Sequence, residues 1–123
     1  MLNTDICNED YVFMALQGRS SEIQQTSAGM YDRVSNETMV YWTKESANAS
    51  NAQAIWFDQT YGTWRLGQLA NLGSNLNYLT STSSPICPYA SDTEWSYFDG
   101  TEQVEENLDS IITLTPWKIG KLG

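Results

Sequence analysis

The apolar positions of this chain recur with the period of β-strands. Residues 11–16 (YVFMAL) form a near-continuous apolar run, as in a central strand buried on both faces. In residues 30–34, Met30, Asp32 and Val34 share one face while Tyr31 and Arg33 share the other. Residues 38–43 (TMVYWT) are rich in β-branched and aromatic side chains, which pack well on a pleated surface. Residues 54–58 (AIWFD) and 63–66 (TWRL) flank Gln59-Thr60-Tyr61-Gly62, which reads as a hairpin loop. Residues 76–80 are a weaker strand candidate. Residues 94–98 (EWSYF) run into Asp99-Gly100, the strongest short hairpin signal in the chain, and residues 101–105 return from it. Residues 108–115 (LDSIITLT) read as the last strand, with Ile112 and Leu114 on one side and Ile111 and Thr113 on the other.

These segments predict an all-β fold, a small antiparallel β-sandwich or barrel-like domain of about eight short strands. No stretch carries a helical period. Residues 17–28 are polar and serine-rich and read as loop, residues 45–53 (ESANASNAQ) as a polar linker, and residues 81–85 as a loop whose Ser/Thr density suits O-linked sugars. The single β-domain is expected over residues 11–115, after an N-terminal arm of residues 1–10 and before an apolar tail of residues 116–123. In that tail Trp117, Ile119 and Leu122 are costly to leave in water. They either fold back on their own domain or dock on a neighbouring copy as an added strand or apolar plug.

A length of 123 residues suits one domain, and at that size a covalent staple helps a modest core. Cys7 and Cys87 are the only cysteines, both beside loop-like residues and not in a C-x-x-C pair. A Cys7–Cys87 bridge would close a loop of about 80 residues, worth roughly 3–5 kcal/mol in the chain-entropy model. Asn36-Glu37-Thr38 and Asn48-Ala49-Ser50 are N-glycosylation sequons. Together these features point to a secreted, extracellular or cell-surface glycoprotein. Residues 1–10 lack the basic start and apolar stretch of a signal peptide, so a secreted form would carry this sequence after processing. No apolar run approaches the ~20 residues that cross a bilayer.

Charge narrows the partners. Six basic against fifteen acidic residues leave a net charge of −9, which repels nucleic acid and anionic lipid surfaces. The chain has no histidine, removing the commonest general base and transition-metal ligand.

The ordered elements Gly29-Met30-Tyr31, Val40-Tyr41, Ile55-Trp56-Phe57, Trp64-Arg65-Leu66-Gly67 and Trp95-Ser96-Tyr97-Phe98-Asp99-Gly100 span most of the chain. In order and spacing they resemble a small extracellular β-domain that recurs in secreted and surface proteins of aquatic eukaryotes, algae and invertebrates. Glu37-Thr38-Met39 departs from the Asn-Gly-(Arg/Lys)-Pro usual there. The resemblance implies a secreted β-domain, often repeated within larger proteins. It implies no catalytic activity and no particular binding residues.

The candidate chemistry is sparse. Tyr31, Tyr41, Trp42, Trp56, Tyr61, Trp64, Trp95, Tyr97 and Trp117 are many aromatics for this length. Flat rings on a sheet stack on sugars, but tryptophans more often fill the core of a small β-domain. Tyr61, at a hairpin tip, is the best candidate for an exposed sugar platform. Trp64 with Leu66 and Trp95 with Tyr97 should share faces, at least one of these pairs being core. Asp92, Glu94, Asp99, Glu102, Glu105, Glu106 and Asp109 cluster without a basic residue among them. Carboxylates suit calcium, yet no D-x-D-x-D-G loop occurs and a solvated acidic face explains them better. Glu94 with Glu102 across the hairpin is the sort of carboxylate pair a glycosidase uses, but no spacing singles it out. No enzyme, cofactor or metal is expected. The first expectation is an extracellular structural or adhesive domain that assembles with copies of itself or other glycoproteins into a filament or coat. The alternative is a secreted carbohydrate-binding module using exposed aromatics.

Overall fold

The computed structural model describes residues 9–18, 27–35, 40–44, 52–72, 78–82, 87–89, 93–98, 101–105 and 110–117. They form nine strands: β1 (Tyr11–Gly18), β2 (Gly29–Ser35), β3 (Val40–Lys44), β4 (Gln53–Asp58), β5 (Thr63–Gln68), β6 (Leu79–Ser81), β7 (Trp95–Phe98), β8 (Gln103–Glu105) and β9 (Ser110–Trp117). A 3-10 turn, Leu69–Asn71, follows β5. Every pairing is antiparallel, and the strands make one sheet in the order β8-β7-β6-β5-β4-β3-β2-β1-β9. Eight strands meander in sequence, and β9 returns to the far side of β1, from Tyr11 opposite Trp117 to Gly18 opposite Ser110. The sheet curls into a half-barrel that brings β7 into contact with β9. Of the two architectures the strand pattern allows, sandwich or barrel-like, the chain takes a single curled sheet.

The core follows from register. Directly paired residues share a face. The pairs Trp42–Ile55, Ile55–Leu66, Leu66–Leu79, Leu79–Tyr97 and Tyr97–Val104 therefore lay one apolar row across six strands. Val12 with Tyr31, Met14 with Leu114 and Leu16 with Ile112 continue this face across β2, β1 and β9. Curling turns these rows toward each other, and all of these residues are buried or packed against the cluster. Large rings fill the concave side. Trp64 meets Phe57 at 5.3 Å and Trp42 at 5.9 Å between centroids. Trp42 also meets Tyr89 edge-on at 5.9 Å, and its indole N–H donates to the Glu9 carbonyl at 2.9 Å. Both expected aromatic pairs, Trp64 with Leu66 and Trp95 with Tyr97, lie in this core.

Trp56 is different. Ile55 and Phe57 face the core, so alternation sends Trp56 to the opposite face of β4. It is nevertheless fully buried, as is its same-face neighbour Ala54, and Asp58 on that face is nearly so. Strand β4 is thus covered on both sides.

Several strand limits differ from the sequence pattern, among them the ends of β3, β5 and β6, which run to Lys44, Gln68 and Ser81. Gln53, expected in a polar linker, opens β4 and is buried because its Oε1 lies 3.3 Å from the Tyr31 hydroxyl. Gln17 and Gly18, expected in a loop, extend β1 opposite Ile111 and Ser110. Strand β9 runs past Thr115 through Pro116 and Trp117. Proline lacks the N–H a central strand needs but is accepted at the edge of a sheet, and β9 ends the strand order. The Asp99-Gly100 turn lies outside the described residues, although β7 and β8 pair around it through Phe98 and Gln103.

Candidate functional site

The β4–β5 hairpin holds the one aromatic ring expected to be exposed. Asp58 and Thr63 close the loop as a register pair. Asp58 Oδ1 accepts the backbone N–H groups of Thr60 at 2.9 Å and Tyr61 at 3.4 Å, the Asx turn that this residue type favours. The Gly62 N–H donates to the Asp58 carbonyl at 2.7 Å. Gly62 has φ of +69°, a conformation that side chains disfavour. The second carboxylate oxygen of Asp58 receives Arg65 Nε at 2.7 Å, and the Arg65 guanidinium sits 5.4 Å from the Tyr61 ring centroid. Tyr61 is 61% exposed, carried on a loop fixed from below.

Phe13 and Phe98 are partly exposed as well, at 41% and 36%. Tyr31, Trp42, Trp56, Trp64, Trp95 and Tyr97 are buried and Tyr41 is half-buried. The Trp117 backbone stands opposite Tyr11 at the end of β9.

A second feature lies at the seam where the curled sheet fails to close. A cleft of about 290 Å³ opens there between Tyr89, Thr93 and Trp95 on one side and β9, from Ile112 to Pro116, on the other. The walls are mainly apolar. The Thr93 hydroxyl is buried and has no hydrogen-bond partner among the described residues. Burial pushes the Tyr89 phenol above its ordinary range, partly offset by its hydrogen bond to the Glu9 backbone. Strand direction matters here. Antiparallel pairing alternates direction along the sheet, so β8 runs opposite to β1; β9, paired with β1, does too. The two edge strands therefore point the same way.

A buried polar cluster, which the sequence pattern missed, caps the core near Gly29. The Tyr31 hydroxyl donates to the Ser27 carbonyl at 2.7 Å, and the Lys44 ammonium donates to the Ala28 carbonyl. Burial raises the Tyr31 phenol well above its usual range and lowers the Lys44 ammonium. Only the isolated polar letters Tyr31, Lys44 and Gln53 hint at it in the sequence.

Cys7, Asn36, Asn48, Ile119 and Leu122 lie outside the described residues, as do Asp92, Asp99, Glu106 and Asp109. Cys87 packs half-buried against the core. Glu94, Glu102 and Glu105 are exposed. Ser96 pairs with Glu105 and Phe98 with Gln103, which leaves Glu94 and Glu102 at opposite ends of the β7–β8 hairpin. They do not face each other as a carboxylate pair must. Among the described residues, no three acidic or cysteine side chains converge on a point where a metal ion would sit. No helix among the described residues is long and apolar enough to cross a membrane. Compared with known proteins, the chain matches no family model, no curated protein sequence and no solved structure.

Proposed function

We propose that this chain is a non-enzymatic extracellular structural or adhesive domain that associates with copies of itself or with other extracellular glycoproteins. The observation that carries this reading is an open sheet with two like-directed edge strands, β8 and β9, and an apolar cleft along β9 opposite Tyr89, Thr93 and Trp95. Unclosed sheet edges favour strand addition by another chain. Burial of Trp42, Trp56, Trp64 and Trp95 supports it further, because it assigns these rings to packing. In this reading a Cys7–Cys87 bridge staples the domain, in keeping with the absence of a free cysteine among the described residues. Asn36 and Asn48 carry N-linked glycans, no cofactor is needed, and the domain is secreted as one of the aquatic-eukaryote β-domains it resembles. Electron microscopy and sedimentation of the natively glycosylated protein test this. Regular filaments or sheets are expected; dispersed particles of single-domain size at all concentrations would sink it.

One observation favours a second reading, a carbohydrate-binding module. The Tyr61 ring is exposed and held by the Asp58–Arg65 pair, a preorganised face for a sugar ring. Glycan-array binding lost on Tyr61→Ala, with stability unchanged, would support it.

A further inference from the structure

We propose that the cleft between β9 and Tyr89, Thr93 and Trp95 is a binding site for a small neutral molecule, an apolar ring or chain that carries one hydroxyl or carbonyl group. The proposal is separate from self-association, since it concerns a single copy of the domain. Its first support is that the walls are held from behind. Trp95, Ile112 and Leu114 belong to the buried core, and Tyr89 packs against that core with its ring edge-on to Trp42. Walls fixed in this way keep their shape, so a ligand meets a preformed site and little binding energy goes into ordering it. Size sets the next limit. An apolar cavity of about 150 Å³ takes benzene. At about 290 Å³ the cleft suits a molecule up to about twice that size.

Polarity then narrows the chemistry. No residue lining the cleft is charged at neutral pH: its polar members are threonines and the Tyr89 phenol, which burial keeps protonated. A charged ligand would lose its hydration there and gain no counter-charge. An anion would also meet the acidic stretch of residues 92–109, which contains no basic residue and includes Thr93. The Thr93 hydroxyl marks where the ligand's polar group goes. Its oxygen is buried and has no hydrogen-bond partner among the described residues. Water is a poor occupant of such a corner, because a held water needs about two to four polar partners. Thr93 lines the cleft and is only half-buried, so rotation about its Cα–Cβ bond can present the hydroxyl to it. A hydroxyl or carbonyl delivered there on an apolar body gains a hydrogen bond that the folded chain leaves unmade. The body gains the apolar walls.

The test titrates the full-length, natively glycosylated chain with naphthol, naphthalene and naphthoate at neutral pH, at a dilution where it sediments as single domains. Calorimetry reads the affinities. Naphthol should bind saturably at one site. Naphthoate, the same ring with a carboxylate, should bind about tenfold more weakly or not at all. Thr93→Val keeps the shape of the side chain and removes the hydroxyl. It should weaken naphthol by about threefold to tenfold and leave naphthalene unchanged. In urea the same variant should be at least as stable as the natural chain, because the hydroxyl it loses has no partner in the fold. Thr93→Phe places a ring in the cleft and should remove binding of both neutral probes, with tryptophan emission verifying that the buried indoles are retained. The proposal is overturned if naphthol fails to saturate or naphthoate binds as tightly. It is equally overturned if Thr93→Val affects the two neutral probes alike, or if a folded Thr93→Phe chain binds them as the natural one does.

Discussion

Asp58 and Arg65 form a largely buried ion pair, Nε to Oδ2 at 2.7 Å, with their side chains 6% and 11% exposed. They stand on neighbouring strands, with Asp58 at the end of β4 and Arg65 inside β5. Because Asp58 also accepts the turn N–H groups, the pair couples the tip of the hairpin to the body of the sheet. Removing one partner of a buried pair leaves the other uncompensated, at a cost of roughly 3–5 kcal/mol. Asp58→Ala should therefore lower the unfolding free energy measured in urea by that order. Arg65→Met, which keeps packing but also strands Asp58, should cost a comparable amount. A loss under about 1 kcal/mol for both would mean that the pair contributes little to holding the hairpin.

The two kinds of aromatic predict opposite mutational costs. Trp42→Ala should destabilise the domain by about 3–5 kcal/mol, since a large ring in contact with Trp64 and Tyr89 leaves a cavity. Trp56→Ala should cost about as much although it lies off the main core, because it too is fully buried. Tyr61→Ala, at the exposed tip, should stay within about 0.5 kcal/mol. Chemical denaturation of the three variants checks the ranking, and a Trp56 variant as mild as the Tyr61 one would contradict its burial.

Alkaline pH should weaken the fold. Tyr31 has an ordinary value of 10.0, and burial raises it in the folded chain. An unfolded chain then releases the phenol proton first, so stability is intact below pH 10 and is lost above it, by about 1.4 kcal/mol per pH unit. Tyr89 acts in the same direction. Lys44 acts in the opposite one: its folded value lies below the ordinary 10.5, so its contribution improves as pH rises toward that value. Above about pH 10.5 the tyrosines act alone. Thermal melts from pH 8 to 11.5 should fall only at the upper end, and Tyr31→Phe should remove most of that slope. A flat alkaline limb in the natural chain would count against the buried phenol.

The staple is tested by Cys87→Ser. With a Cys7–Cys87 bridge in the natural chain, the substitution should cost roughly 3–5 kcal/mol, and reductant should lower the natural chain to the variant's stability. Equal denaturation curves with and without reductant would exclude the bridge.

Strands were legible in the sequence wherever one face is apolar. The alternation at Met30 to Val34 and the hairpin at Gln59 to Gly62 translate directly into β2 and the β4–β5 turn. Gln53 was not legible, because its burial depends on the distant hydroxyl of Tyr31. Trp56 was not either: alternation tells which residues share a face but not whether a face is covered. The seam is a property of strand order, and no local pattern in residues 110–117 states that they lie beside β1. What was legible of the candidate site was Tyr61, since turn residues around a lone aromatic mark an exposed tip.

The pairing of β9 with β1 has a consequence for how the domain comes to exist. The two strands that pair over the greatest length stand near opposite ends of the described chain. Contacts so far apart in sequence make folding slow, and local hairpins form well before them. During synthesis β1 must wait with one edge bare, Phe13 beside it, until β9 has been made. A chain interrupted before residue 110 would carry a nearly complete sheet whose first strand is open to any neighbour, so accuracy of assembly depends on β9 arriving before another chain does.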